Sequence, residues 1–229
     1  MRSLFVILAF CSSTFVQGSS DSIVHPKIDV ILNIYAGANF SSRTTITENI
    51  GYKHKMLMGT NFGIAPEVRI HPHVAISIGA ELSQKGVRMK GNIGDTSVLI
   101  RYTANYLDFP IYAKGIFGSG KFEEFFYLGS VMSYWASYNT DETYRYDKVT
   151  VNHEEEDIKL KLPYPISYNR FDAAIALGGG CTVTTGIGKF LLDLRFQLGL
   201  ANIYKSEFIS AQQNRTFSLR FGYQLPLQK

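Results

Sequence analysis

Residues 189–204 read KFLLDLRFQLGLANIY: Phe190, Leu192, Leu194, Phe196, Leu198 and Leu200 share one parity, while Leu191, Asp193, Arg195, Gln197 and Gly199 share the other. Successive side chains of an extended chain point to opposite faces, so this stretch predicts a strand with one apolar and one polar face. A two-sheet sandwich also alternates, but its strands rarely run an apolar face through so many positions. The length suits a strand that crosses a bilayer, which needs roughly 9–11 residues facing lipid on one side and a polar lumen on the other.

The last segment repeats the pattern, with Phe217, Leu219, Phe221, Tyr223, Leu225 and Leu227 set against Ser218, Arg220, Gly222 and Gln224. Working back, 28–40, 56–70, 74–88, 100–115, 122–138 and 169–184 complete a set of eight. In 56–70 the outward set is Met58, Thr60, Phe62, Ile64, Val68 and Ile70; in 74–88 it is Val74, Ile76, Ile78, Ala80 and Leu82. Phe125, Phe126, Tyr127, Tyr134 and Trp135 fall on mixed parities, so the register of 122–138 stays open. Longer polar links near 41–55, 89–99, 139–168 and 205–213 alternate with the short turns His71-Pro72-His73, Gly118-Ser119-Gly120 and Gly186-Ile187-Gly188. Bilayer hydrocarbon offers no hydrogen-bond partner, so strands cross it only as a closed barrel. The expectation is all-β: a single eight-stranded antiparallel up-and-down transmembrane β-barrel with short inner turns and long outer loops.

The composition agrees. At 18% charged and 45% hydrophobic the chain is poor in charge for a soluble enzyme, and its 14 Tyr, 16 Phe and 20 Gly suit strands and tight turns. The net charge of +4 comes from scattered basic residues with no run that would track a phosphate backbone, so nucleic acid is not expected as a partner. No repeat or low-complexity linker marks a second domain.

Arg2, the apolar run Leu4 to Phe10 and the small-residue site Val16-Gln17-Gly18 have the layout of a signal peptide, so 1–18 is expected to be removed and 19–229 to form the barrel domain. Cys11 would leave with it, and Cys181 alone could form no internal disulfide. Phe10, directly before Cys11, is too large for a lipoprotein signal, and no later apolar run is long enough for a membrane helix.

The polar parity collects Glu67, Glu81, Asp108, Asp172 and Asp193 with Arg69, Lys85, Lys114, Arg195 and Arg220. An eight-stranded barrel is just wide enough for side chains to fill, so these residues are expected to form a paired charge network and leave no wide channel.

Other motifs carry less. Gly115 to Phe122 lacks the Ser or Thr that a phosphate-binding loop needs after its lysine and reads as a hairpin turn. Gly178-Gly179-Gly180 runs on into a strand, where a dinucleotide site would start a helix. His71 and His73 flank Pro72 in a turn and lack further ligands in sequence, and His153-Glu154-Glu155-Glu156-Asp157 reads as a solvated face. His54 is the one histidine at the height where a lipid hydrolase would work, with no nucleophile beside it. Asn39-Phe40-Ser41 and Asn214-Arg215-Thr216 match a glycosylation sequon that a bacterial barrel would not use. No catalytic residue, metal site or cofactor is expected.

Several strings together resemble the PorT-like outer-membrane β-barrel family of Gram-negative bacteria: Glu81-Leu82-Ser83-Gln84-Lys85-Gly86, Tyr106 to Lys114, Phe171-Asp172 leading to Gly178-Gly179-Gly180, and Asp193 to Ile203. Arg220, Gly222, Leu225 and Leu227 resemble an outer-membrane insertion signal, although the chain ends on Gln228-Lys229 where many such proteins end on an aromatic. The resemblance implies an integral outer-membrane protein without known enzymatic activity, some relatives being linked to protein secretion. The expected partners are outer-membrane lipid, the barrel-assembly machinery during insertion, and an extracellular or secretion partner held by loops such as 139–168. The alternatives are a lipid-modifying enzyme, a small channel and a soluble lipid-binding barrel; the outward Phe and Leu ladder argues against the last.

Overall fold

The computed structural model describes residues 29–44, 53–146, 149–156, 169–203 and 212–227. The expected signal peptide, Cys11 and the tail Gln228-Lys229 lie outside the described residues. Ten strands follow in order: β1 (Asp29–Arg43), β2 (Lys53–His71), β3 (Val74–Ile78), β4 (Ala80–Ile93), β5 (Thr96–Ser119), β6 (Phe122–Tyr146), β7 (Val149–Glu156), β8 (Phe171–Thr185), β9 (Gly188–Gly199) and β10 (Asn214–Pro226).

They make the expected eight-membered antiparallel ring. β3 and β4 form one wall, because both pair with β2 and β5 in unbroken register across Gly79. The break has a local cause. Gly79 N–H donates to the Pro110 carbonyl at 2.9 Å, and Pro110 has no N–H to return. β10 closes the ring on β1, from Ile31 opposite Pro226 to Arg43 opposite Asn214, and β7 lies outside the ring as an extra strand on β6.

The inside-outside pattern follows the sequence. Phe190, Leu192, Leu194, Phe196, Leu198 and Leu200 all point outward, and Leu191, Asp193, Arg195 and Gln197 are buried in the lumen. The outward sets of 56–70 and 74–82 also face out, with Met58 65% and Leu82 63% exposed on the bare barrel. The short turns 71–73, 120–121 and 186–187 gather at one end, with Asp29 and Pro226.

Three expectations need correction. The link at 89–99 and the described part of the link at 139–168 are largely strand: β4 and β5 turn on Gly94-Asp95, and β6 and β7 continue the ladder through 139–146 and 149–156. Gly94 takes φ +57°, which glycine tolerates without a Cβ clash. The run from His153 to Glu156 therefore belongs to β7, not to a loop. The stretch at 189–204 stops being strand at Gly199, after which Ile203 turns inward and is 3% exposed.

The open register of 122–138 closes on a bulge. Asn105 pairs with Ser137 and Tyr106 with Trp135, leaving Ala136 unopposed. Odd residues Phe125, Tyr127, Val131, Ser133 and Trp135 point inward below it, whereas Thr140 and Tyr138 do so above it. One inserted residue exchanges the two faces, which is why no single parity fits.

Candidate functional site

Two regions concentrate polar chemistry: the barrel lumen and the sheet that rises from the long-hairpin end.

The lumen is a stack of ion pairs. At mid-height Arg195 grips Glu81 with two bonds, of 2.9 and 2.6 Å, and Arg220 reaches the same carboxylate at 3.3 Å. Arg220 also pairs with Asp193, which accepts from Tyr127 Oη at 3.0 Å. Tyr35 donates to Glu81 at 3.2 Å, and Arg195 donates to Tyr112 at 3.0 Å. Toward the short-turn end, Lys114 pairs with Glu67 at 2.8 Å and Arg69 bridges Glu67 and Glu123, which also holds Lys189 at 2.5 Å. Toward the other end, Lys85 pairs with Asp108 at 2.8 Å and donates to Ser133. Neutral groups continue this layer, with Asn39 bonded to Asn61, Ser83 and Ser218.

Nine of the ten sequence-derived network residues are thus joined in ion pairs. Asp172 is the exception: among the described residues it accepts from neutral Asn214 at 3.0 Å. Sequence reasoning missed Glu123 and Lys189, which lie at strand ends beside turns, and the tyrosines 35, 112 and 127, whose rings count as apolar in a parity reading. The near pairing of Glu123 with Lys189 across β6, β8 and β9 was legible only with the register of β6 in hand.

Packing completes the closure. A Cβ on Gly178 would come within 2.3 Å of Tyr127 Oη, so that glycine makes room for the ring that reaches Asp193. Phe125, Ile116 and Leu191 pack between the mid-height charges and the Glu123–Lys189 pair. Above them Tyr106 stacks on Trp135, and Ile203 folds in beside both. A cavity of about 40 Å³ remains beside Glu67, Lys114 and Arg220, room for a few waters. Conductance in planar bilayers is therefore expected to be negligible, and large, stable single-channel currents would contradict this packed lumen.

The second region stands on the opposite side of Trp135 from the short turns. β5 has 24 residues and β6 has 25, against the roughly 9–11 that span a bilayer, so with β4 and β7 they project as a sheet. β7 pairs with β6 on one side and ends the sheet on the other. Its Val149 and Val151 are 62% and 56% exposed.

Other flagged residues sit apart. His71 and His73 lie with ring centroids 5.6 Å apart and planes tilted by 44°; His71 Nδ1 accepts from the His73 backbone, and His73 Nδ1 lies 3.1 Å from the Ile116 carbonyl. His54 lies on β2 opposite Met89, not in a loop. Among the described residues no three His, Cys, Asp or Glu side chains group as a metal site. Arg220 points into the lumen, Gly222 packs against Ile34 and Leu191, and Leu225 and Leu227 point outward.

The family described as outer membrane protein beta-barrel domain matches residues 17–205, every ring strand except β10. Among solved structures, Ail, the attachment invasion locus protein of Yersinia pestis, is 12% identical over 85% of this chain and 98% of its own, with a TM-score of 0.36. Neisserial surface protein A is 10% identical over 85% and 96%, with a TM-score of 0.38. The outer membrane protease OmpT of Escherichia coli is 10% identical over 89% and 98%, with a TM-score of 0.33. No curated protein matches the chain.

Proposed function

This chain belongs to the outer membrane protein beta-barrel domain family, and from that premise we propose that it is a non-enzymatic interaction barrel whose projecting sheet faces outward and binds a protein partner. The observation that carries the reading is β7. It adds nothing to barrel closure, yet it extends the sheet and, among the described residues, leaves one row of backbone donors and acceptors without a neighbouring strand. An edge of that kind is a template for pairing with another chain, and isolated edges are usually blunted. The resemblance to PorT-like proteins makes a secretion component the favoured partner class. A packed lumen argues against a channel, and the same resemblance supports a C-terminal insertion signal at Arg220, Gly222, Leu225 and Leu227, read by the assembly machinery.

The test places a photo-crosslinking amino acid at Val151 in intact cells, with Phe196 as a lipid-facing control. A discrete protein adduct at Val151 and none at Phe196 is expected. Lack of any adduct along β7, in a barrel that still shifts on heating before electrophoresis, would remove the interaction reading.

A further inference from the structure

Among the described residues, the outward face of the projecting sheet carries a block of positive charge in excess of its acidic groups. In the β-ladder Lys53 stands opposite Lys90, Lys55 opposite Arg88, and Arg88 opposite Arg101. Like charges directly opposed on neighbouring strands destabilise a sheet. Arg88 is at the centre, flanked by cations on both sides, and its Nε is buried without a hydrogen-bond partner. Arg145 closes the patch from β6 beside Leu99 and Lys90. Acidic relief among the described residues lies at one edge: Asp141 is 3.8 Å from Arg101, both are 44% exposed, and Glu154, opposite Asp141, lines the same hollow as Arg101, whereas Lys55, Arg88 and Lys90 lie on the other side of the patch.

The position of the block matters as much as its charge. A groove of about 430 Å³ begins at Met58 and Gln84 and ends at Arg88 and Arg101. Met58 is an outward apolar residue of β2, and Lys55 stands three residues before it, toward the long-hairpin end. On a strand tilted by about 40° that is a rise of about 8 Å. On the barrel side of Arg88 and Arg101, beside Gly59, Gln84, Asn105 and Ser137 are hydrogen-bonded in a row, at 3.3 and 2.8 Å, and mark the change from apolar to polar surface. Cations at that height, on the face continuous with the hydrocarbon belt, meet the headgroups of the same leaflet.

We propose that this face binds the phosphate groups of anionic lipid in the outer leaflet, with Arg88 at the centre of the site and Lys55 and Arg101 beside it. The site rests on the outer-membrane reading above, with the long hairpins outside. Bound phosphate supplies counter-charge to Arg88 and Lys55, and the groove below admits the apolar part of the same molecule along Met58.

The experiment uses the full barrel folded in neutral detergent and compares wild type with a Lys55→Gln/Arg88→Gln/Arg101→Gln variant. Diphosphorylated lipid A and its dephosphorylated form are the probes, and retention is read by native mass spectrometry. Wild type is expected to hold the phosphorylated form about tenfold or more tightly than the variant does, since each basic residue near an anionic surface adds appreciably to attraction. Without lipid the variant should unfold at the same denaturant concentration as wild type or higher, because the repulsion is gone; added lipid A should raise only the wild-type midpoint. Equal retention of both lipid forms, equal retention by the variant, or displacement by an equal concentration of inorganic phosphate would each overturn the proposal. A wild-type chain that fails to shift on heating before electrophoresis would instead defeat the barrel reading beneath it.

Discussion

Glu81→Gln is expected to destabilise the barrel by about 3–5 kcal/mol, the usual cost of removing one member of a buried ion pair. Glu81 is 1% exposed and is the carboxylate shared by Arg195 and Arg220. The amide keeps the shape and removes the charge. Two guanidinium groups would then share a packed lumen with Asp193 as the nearest counter-ion, and Tyr35 would lose a charged acceptor. The single tryptophan, Trp135, packs against Tyr106 above the network and reports unfolding directly by its fluorescence. Adding Arg195→Gln to Glu81→Gln should recover part of the loss, because the second change removes the stranded cation. Asp172→Asn provides the contrast: its acceptor bond comes from neutral Asn214, so a loss within about 1 kcal/mol is expected. If Glu81→Gln unfolds in urea within about 0.5 kcal/mol of wild type, as a surface substitution would, the ion pairs do not depend on one another.

How much of this was legible in the sequence depends on what each residue borders. Between Phe190 and Leu200 one face meets hydrocarbon and the other meets charged lumen, so parity alone assigns every side chain. Above the apolar belt neither face of β4 to β7 meets hydrocarbon, the apolar ladder disappears, and Lys90, Asn92, Asp141 and Glu154 read as loop although their backbones are paired. The bulge at Ala136 hides β6 for a different reason, since it merges two correct parities into one inconsistent list. Parity identifies which charges enter the lumen, but not which partners they meet. Arg195 reaches Glu81 across the barrel from a strand 114 residues away in sequence, and Asp172 enters the same lumen but, among the described residues, is bonded to neutral Asn214 and not ion-paired. The basic face around Arg88 was hidden for the same reason: its cations are scattered along the chain, and only the register sets them side by side.

Leu194→Arg, next in sequence to an arginine the fold already buries, is expected to cost about 2–4 kcal/mol in bilayers, as arginine does at the midplane of a transmembrane strand. Arg195 is at 0% exposure and held by Glu81, whereas Leu194 points outward between Leu192 and Phe196, where an arginine would meet acyl chains and no counter-ion. Moving the same substitution along the face separates the possible environments. From Phe190 through Leu194 to Leu200 the cost should rise and then fall, reaching about 0–1 kcal/mol near the interfaces, where the side chain can snorkel to water. A soluble barrel would give no such profile, because arginine on a water-exposed face changes stability by about 0.5 kcal/mol at most. A flat series measured by reversible unfolding from vesicles would therefore place this face in water, in conflict with the reading of 189–204 as a membrane strand. A peak centred on Leu194 and Phe196 would instead fix the depth of the hydrocarbon belt, and with it the height at which Arg88 and Lys55 meet the headgroups.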